Sequence, residues 1–421
     1  MTSGLPRSLE HPLPAGLRDL LPEEAQSRRA LAQRVQSRFA AFGYRLVTPP
    51  VFELADVVER GLGTLSSNDV LRFVEPESGE VCVLRPDMTP QIARIVATRL
   101  RDHAPPFRLA YEGTVVRRRI GRAKKHRQIP QVGVELCGVA GPEADLELLE
   151  LAADVLREVG LERFTIDVSD AGIVRELLHG VAAEHAEDVT RALGRKDEAQ
   201  LSELTEGLAT RDALLALVRL HGGREALVEA VALLASTRAA EPAKRLLALF
   251  DAAVARGLSS HLTADAGEVR GFAYYTGTIF SIYAKGPGEP IGAGGRYDEL
   301  LSRFGAPMPA IGLGLDLDAL GWARKDAGMG ESAPDGVVVV GAPDDPRLRM
   351  LRERSLVAVA LSTRELATSY ARSWRFAAVW DGTSLFDPVT NAPLGKSASV
   401  TSVDEAFLQT LAVLRSASRG D

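Results

Sequence analysis

The chain has 421 residues, 46% of them hydrophobic, which is enough for two or three structural units with filled cores. Its 50 Lys and Arg against 56 Asp and Glu give a net charge of -6, so no overall basic field argues for a nucleic-acid partner. A mean hydropathy of zero fits a soluble, cytoplasmic protein. Cys82 and Cys137 stand far apart in apolar settings, which predicts two buried thiols rather than a disulfide or a metal site. The Pro- and Gly-containing start lacks the apolar centre of a signal peptide, and no run approaches the roughly twenty apolar residues of a membrane span.

In chain order, Pro22 with Glu23 and Glu24 predicts a helix start, since Pro suits the first turn and carboxylates complement the dipole. Leu31, Val35 and Phe39 recur at helical spacing until Gly43. Tyr44-Arg-Leu-Val-Thr-Pro-Pro-Val51 reads as a strand ending in prolines. Residues 81–84, 107–111 and 131–136 are strand-like and separated by turns, which predicts an antiparallel sheet rather than a doubly wound one. An amphipathic helix over 143–159 precedes a strand over 163–168. From 171 to 258 the composition shifts to Leu, Ala, Glu and Arg, a helical insertion broken near Gly194, Gly207 and Gly222-Gly223. Strand character returns at 269–284 and 310–315.

Residues 328–335 read as a linker. Beyond it come a strand at 337–340, a helix near 346–353, a strand at 356–361, a helix near 364–374 and a strand at 376–380. A turn-rich stretch and a last helix near 403–415 complete a small α/β domain. The expected fold class is α+β. Its core comprises residues 1–170 and 259–327, with the helical insertion at 171–258 and the small domain at 336–421.

Four stretches carry candidate chemistry. In Leu84-Arg-Pro-Asp-Met-Thr-Pro-Gln91, the Asp87 carboxylate suits an ammonium group and the Thr89 hydroxyl can bond beside it. In Gln131-Val-Gly-Val-Glu135, residues four apart on a strand face one side. Gln131 and Glu135 can therefore line one cleft and recognise an amino group and an imidazole N–H. A buried Glu135 calls for a cationic companion. In Glu268-Val-Arg-Gly-Phe-Ala-Tyr-Tyr-Thr-Gly-Thr-Ile-Phe280, the Arg270 guanidinium suits a carboxylate, and Tyr274 and Tyr275 offer apolar faces with polar tips. In Ala293-Gly-Gly-Arg-Tyr-Asp298, glycines admit close backbone approach and Arg296 with Asp298 secures the turn. A fifth stretch, Tyr111-Glu-Gly-Thr-Val-Val-Arg-Arg-Arg119, leads into the basic Gly121-Arg-Ala-Lys-Lys-His-Arg127. That loop reads either as a solvated segment or as a site for phosphates or an acidic surface.

These pieces, in this order across residues 14 to 320, resemble the class II histidyl-tRNA synthetases. The resemblance implies an antiparallel synthetase-like sheet with flanking helices. It makes the Pro22 helix and the 44–51 strand a two-fold dimer interface. It also implies a histidine pocket of Asp87, Thr89, Arg117, Gln131, Glu135, Arg270, Tyr274 and Tyr275. Arg117 matches the arginine that meets the α-phosphate in the second signature, Phe-Arg-Tyr-Glu, whose glutamate is replaced by Arg119. Pro309-Ala-Ile-Gly-Leu-Gly-Leu-Asp-Leu-Asp-Ala-Leu320 is similar to the third signature, normally Gly-Leu-Glu-Arg, with Ala319 taken as the place of its ATP-binding arginine. Ala273 stands where Asp is usual before the tyrosines.

Arg-Pro-Asp-Met-Thr-Pro-Gln is similar to the version in the regulatory subunits of ATP phosphoribosyltransferase, a paralogous family. That likeness implies a non-catalytic regulator in histidine biosynthesis. It would bind a short-form catalytic subunit and a second copy of itself, with histidine as effector and no tRNA, cofactor or metal. The alternatives are a histidyl-tRNA synthetase and a related enzyme that activates histidine for another acceptor. The C-terminal domain resembles the synthetases' anticodon-binding domain in element order only.

Overall fold

The computed structural model describes residues 13–62, 70–117, 126–269, 275–329 and 336–394, with Asp404, Ala406 and Leu408 beyond them. The chain divides into two compact units, Met1–Met329 and Gly330–Asp421.

Helix α1 (Pro22–Ala41) opens the first unit, with Pro22, Glu23 and Glu24 in its first turn and Leu31, Ala32, Val35 and Phe39 buried. Strand β1 (Arg45–Val47) is shorter than the eight residues expected. Pro49 and Pro50 lack an N–H and cannot continue a ladder, so the chain leaves this sheet. It resumes as β2 (Phe52–Leu54) in a separate sheet ordered β2-β4-β3, with β3 (Leu71–Val74) and β4 (Val81–Leu84). Helix α2 (Ala55–Leu62) links β2 to β3, and α3 (Thr89–Thr98) follows β4.

The main sheet has nine strands in the order β1-β5-β6-β12-β11-β10-β7-β9-β8. Its centre consists of β5 (Phe107–Val116), β6 (Gln128–Cys137), β12 (Ala310–Asp316), β11 (Gly292–Arg296), β10 (Thr278–Ala284) and β7 (Phe164–Asp170). These six run antiparallel, as the strand spacing implied. At the margins β1 runs parallel to β5, and β9 (Leu262–Asp265) runs parallel to β7. The expected strand at 269–284 begins only at Thr278 among the described residues.

Alternation gives the sheet two different faces. Val132, Val134, Leu313, Leu315, Ile166, Val168, Phe280 and Ile282 pack in one core with Leu148, Leu149 and Ala152 of α4 (Pro142–Glu158). The opposite face therefore carries Gln131, Gly133, Glu135, Gly312 and Gly314. Met88, Ile92 and Val96 of the α3 region build a second core there, with Tyr111 and Tyr297.

The helices of the insertion are α5 (Ala171–Leu177), α6 (Ala183–Gly194), α7 (Glu198–Leu204), α8 (Arg211–Ala216), α9 (Arg224–Leu234) and α10 (Ala240–Ala253). Helix α6 stops at Gly194. Gly222 adopts φ +132° in the two-residue strand β8 (His221–Gly222), which pairs with β9 and was not foreseen. Helix α11 (Leu317–Asp326) follows β12 directly.

The second unit has the strand order β14-β13-β15-β16. Strands β13 (Val337–Val340), β14 (Ala358–Leu361) and β15 (Ala378–Trp380) are parallel, separated by α12 (Pro346–Glu353) and α13 (Arg364–Ser373). The unbroken run of four valines in β13 suits a strand covered on both faces. A short antiparallel strand, β16 (Leu385–Phe386), lies in the stretch read as turns. Asp404, Ala406 and Leu408 are helical, and the rest of the expected 403–415 helix is outside the described residues.

Candidate functional site

A cavity of about 260 Å³ opens on the second face of the main sheet. It brings together Asp87, Thr89, Arg117, Gln131, Glu135 and Tyr275 from the candidate set. Arg270 and Tyr274 lie outside the described residues, as do Arg119, Ala273 and most of the basic loop.

Asp87 and Thr89 are held by the entry into α3. Asp87 Oδ1 accepts hydrogen bonds from the backbone N–H of Met88 (2.7 Å) and Thr89 (3.4 Å). The loop beneath them is latched by Arg85, which is buried. Its guanidinium donates to the carbonyls of Thr114 (2.9 Å), Pro49 (2.9 Å) and Pro50 (3.0 Å). The arginine of this motif is thus a backbone clamp, and the carboxylate and hydroxyl beyond it face the cavity. Arg117, at the end of β5, donates from Nε to the Pro86 carbonyl at 3.1 Å.

Glu135 is the electrostatic centre. Only 1% exposed, it accepts from Thr89 Oγ1 at 2.7 Å and from the Tyr297 hydroxyl. Burial pushes its pKa up to about 8; the two hydroxyl donors pull it down and the neighbouring Asp87 charge raises it further. The carboxylate occupies the space a side chain on β12 would need, since a Cβ on Gly312 would lie 1.8 Å from Glu135 Oε2. Gly133 plays the same part for Tyr111, whose hydroxyl would lie 2.4 Å from an added Cβ. Burial raises the Tyr111 phenol well above its ordinary value, so it stays neutral. Gln131 Oε1 is buried with no hydrogen-bond partner. This site suits a ligand that brings positive charge and N–H donors.

Sequence reasoning missed several contributors. Tyr111 and Tyr297 lie inside motifs already singled out, but nothing in their spacing told that they reach the Glu135 region. Glu289 and Asp316 also line the cavity, and the turn carrying Glu289 matches no motif. Arg296 does pair with Asp298 (3.2 Å), yet its main partner is Asp145 of α4, with Nη2 to Oδ2 at 2.5 Å and both side chains under 9% exposed. Arg296 also donates to the Val139 and Gly141 carbonyls at 3.2 and 3.1 Å.

The end of β12 leads straight into the segment similar to the third signature. Asp316 is the cap of α11, accepting from the N–H groups of Asp318 (2.9 Å) and Ala319 (3.2 Å). Ala319, read as the place of the third signature's arginine, is therefore in the first turn of α11. It is buried and uncharged, at 9% exposure, and supplies no cation. Cys82 and Cys137 are both free thiols and buried.

Among protein families, the one described as Histidyl-tRNA synthetase matches residues 16–320. An ATP phosphoribosyltransferase regulatory subunit from Moorella thermoacetica is 38% identical over 395 residues, covering 91% of this chain and 94% of that one. A protein of the same name from Anaeromyxobacter sp. (strain Fw109-5) is 43% identical over 322 residues, covering 74% of this chain and 92% of its own. A solved Bacillus halodurans structure, described as an ATP phosphoribosyltransferase regulatory subunit/histidyl-tRNA synthetase, superposes with a TM-score of 0.77. It is 28% identical and covers 90% of this chain and 99% of that one.

Proposed function

The chain belongs to the ATP phosphoribosyltransferase regulatory subunits, a family built on the class II histidyl-tRNA synthetase fold, and from that premise we propose that its cavity senses histidine without activating it. Its place is in histidine biosynthesis, as the regulatory partner of the first enzyme.

The observation that carries the sensing role is Glu135, buried beside Asp87 and accepting hydrogen bonds from Thr89 and Tyr297, an acidic setting that suits a cationic ligand. The amino acid's ammonium supplies that charge, and Arg117 with Arg270 offers guanidinium groups to its carboxylate. Adenylate formation needs cationic groups on the nucleotide phosphates. Ala319, matched to the third signature's arginine, offers none. The role is therefore non-catalytic, with no tRNA bound. Among the described residues no helix is long and apolar enough to cross a membrane, and the assembly is read as cytoplasmic.

Two partners follow from this reading. The first is a short-form catalytic subunit. Feedback then requires histidine to bind two states of the assembly unequally, with a coupling of about 1–3 kcal/mol. The second is another copy of this chain. Leu46 of β1, Val51 just before β2, and Phe52, Leu54 and Val74 of the small sheet are large apolar residues, 39–62% exposed. A two-fold, isologous contact would cover them. Light scattering at micromolar concentration checks this, and a stable monomer would contradict it. Co-expression with a short-form catalytic subunit tests the function itself. Phosphoribosyl transfer should appear only in the co-purified complex; equal activity of the catalytic subunit alone would refute the proposal.

A further inference from the structure

Helix α6 of the insertion ends in a Schellman-type close. The N–H of Lys196 donates to the Leu193 carbonyl at 2.9 Å, and that of Asp197 to the Ala192 carbonyl at 3.1 Å. The residue that turns left-handed in such a close is usually glycine, which has no Cβ to strain. Here it is Lys196, at φ +54°. What its side chain holds explains a lysine in a glycine's position. The ammonium lies 2.9 Å from Oδ1 and 2.8 Å from Oδ2 of Asp265, which ends β9 and is only 8% exposed.

Asp265 in turn shapes the residues that follow it. Its Oδ1 also accepts from the N–H of Gly267 at 2.9 Å, and its carbonyl accepts from that of Glu268 at 3.2 Å. Other parts of the insertion grip the same turn. Ala266 donates to the Leu220 carbonyl at 3.0 Å, and a Cβ on Gly267 would meet the Leu217 carbonyl oxygen at 2.7 Å. A Cβ on Gly194, at the end of α6, would touch Val269 at 3.9 Å. Val269 is followed directly by Arg270. At the far end of this stretch the sheet does the fastening. Thr276, next to the cavity-lining Tyr275, donates from its N–H to the Arg296 carbonyl at 2.8 Å and accepts at Oγ1 from the N–H of Asp298 at 2.9 Å. The two ends of the Glu268–Phe280 stretch are thus held by different parts of the fold.

We infer that Lys196 is a positioning residue for this stretch: through Asp265, the helical insertion sets the reach of Arg270 to the carboxylate of the bound amino acid. The inference rests on the histidine-sensing reading and deepens it by giving the insertion a part in setting affinity. Lys196 itself touches no ligand. A guanidinium meets a carboxylate bidentately only in a narrow geometry, and a displacement of about 1 Å in its support forfeits much of that contact. A lysine that merely neutralised a buried carboxylate would act on the stability of the whole unit and would be indifferent to what stands at position 270.

The test is a double-mutant cycle, read by calorimetric titration with L-histidine of the full chain in complex with its catalytic subunit. Lys196→Gly removes the ammonium and gives the left-handed position its preferred residue. It should weaken histidine binding about tenfold. In the Arg270→Ala background the same change should cost nothing further, because the contact it positions is already gone. Lys196→Arg keeps a cation within reach of Asp265 and should retain most of the affinity. Wild-type affinity in Lys196→Gly would overturn the inference while leaving the sensing role intact. So would a tenfold loss that adds in full to that of Arg270→Ala, the mark of a general loosening of the fold. Failure of the wild-type complex to bind histidine at all would overturn the parent reading, and this one with it.

Discussion

Thr89 Oγ1 donates to Glu135 Oε1 at 2.7 Å, joining the first turn of α3 to the middle of β6 across 46 residues of chain. With Tyr297 donating from the other side, this fixes a carboxylate that is almost wholly excluded from water. Hydrogen bonds from two neutral hydroxyls do not offset the loss of hydration, so the group remains poised between its charged and neutral forms.

The pH dependence follows from that poise. Burial lifts the folded carboxyl to about 8, while the unfolded chain returns it to the ordinary carboxylate range. Between these limits the folded state keeps a proton that the unfolded state has lost, so stability falls as pH rises through the window and levels off above it. The melting temperature of the ligand-free chain should therefore drop more between about pH 5 and pH 8 than that of Glu135→Gln. Histidine binding runs the other way, because the ammonium favours the carboxylate. Its affinity should rise over the same range, with proton release detectable from the buffer dependence of the heat. Parallel melting curves for the two proteins would contradict this account.

Gly312 is the space into which Glu135 fits. Gly312→Ala places a Cβ 1.8 Å from Oε2, and backbone on both sides of β12 allows little retreat. The expected outcome is loss of histidine binding by at least tenfold, with destabilisation of about 1–3 kcal/mol, the usual cost of overpacking. Gly328→Ala, in open space but at φ +77°, is a control for backbone strain alone. Histidine binding by Gly312→Ala at wild-type affinity would show that the carboxylate can move without consequence.

Much of this site was legible because it is local. Asp87 with Thr89, and Gln131 with Glu135, are two and four residues apart, and strand alternation alone puts the second pair on one face. The early helix announced itself through Pro22 and its apolar spacing, and the valine run of β13 did so through its continuity. What stayed hidden depends on closure of the fold. Tyr297 and Glu135 are 162 residues apart, and Asp145 and Arg296 are 151 apart; neither pair leaves a periodic trace. The capping role of Asp316 is visible only once the strand-to-helix junction is seen. Strand β8 was missed because two residues carry no alternation.

Asp145 and Arg296 test the scaffold apart from ligand chemistry. Their buried pair fastens β11 to the start of α4, and removing Asp145 leaves the Arg296 charge only the more exposed Asp298 as an acidic partner. Asp145→Asn should destabilise the first unit by about 3–5 kcal/mol in denaturant titrations. The second unit's own transition should be unaffected. A change below about 1 kcal/mol would mean that Asp298 and the carbonyls of Val139 and Gly141 suffice for Arg296.

No histidyl-adenylate should form. Histidine-dependent exchange of pyrophosphate into ATP is expected at background level for the wild type. Ala319→Arg alone should not restore it, since Arg119 would remain at the position matched to the second signature's glutamate. Exchange at a normal synthetase rate would overturn the non-catalytic reading.

The central claim is that a retained synthetase pocket has become a sensor, and the most direct measurement is histidine inhibition of the reconstituted complex. The wild-type assembly should lose phosphoribosyl-transfer activity as histidine is added. Assemblies carrying Glu135→Gln or Arg270→Ala should keep their basal activity and need about 30- to 1000-fold more histidine, equivalent to about 2–4 kcal/mol. Equal inhibition of wild type and both variants would place the histidine sensor outside this cavity and contradict the account.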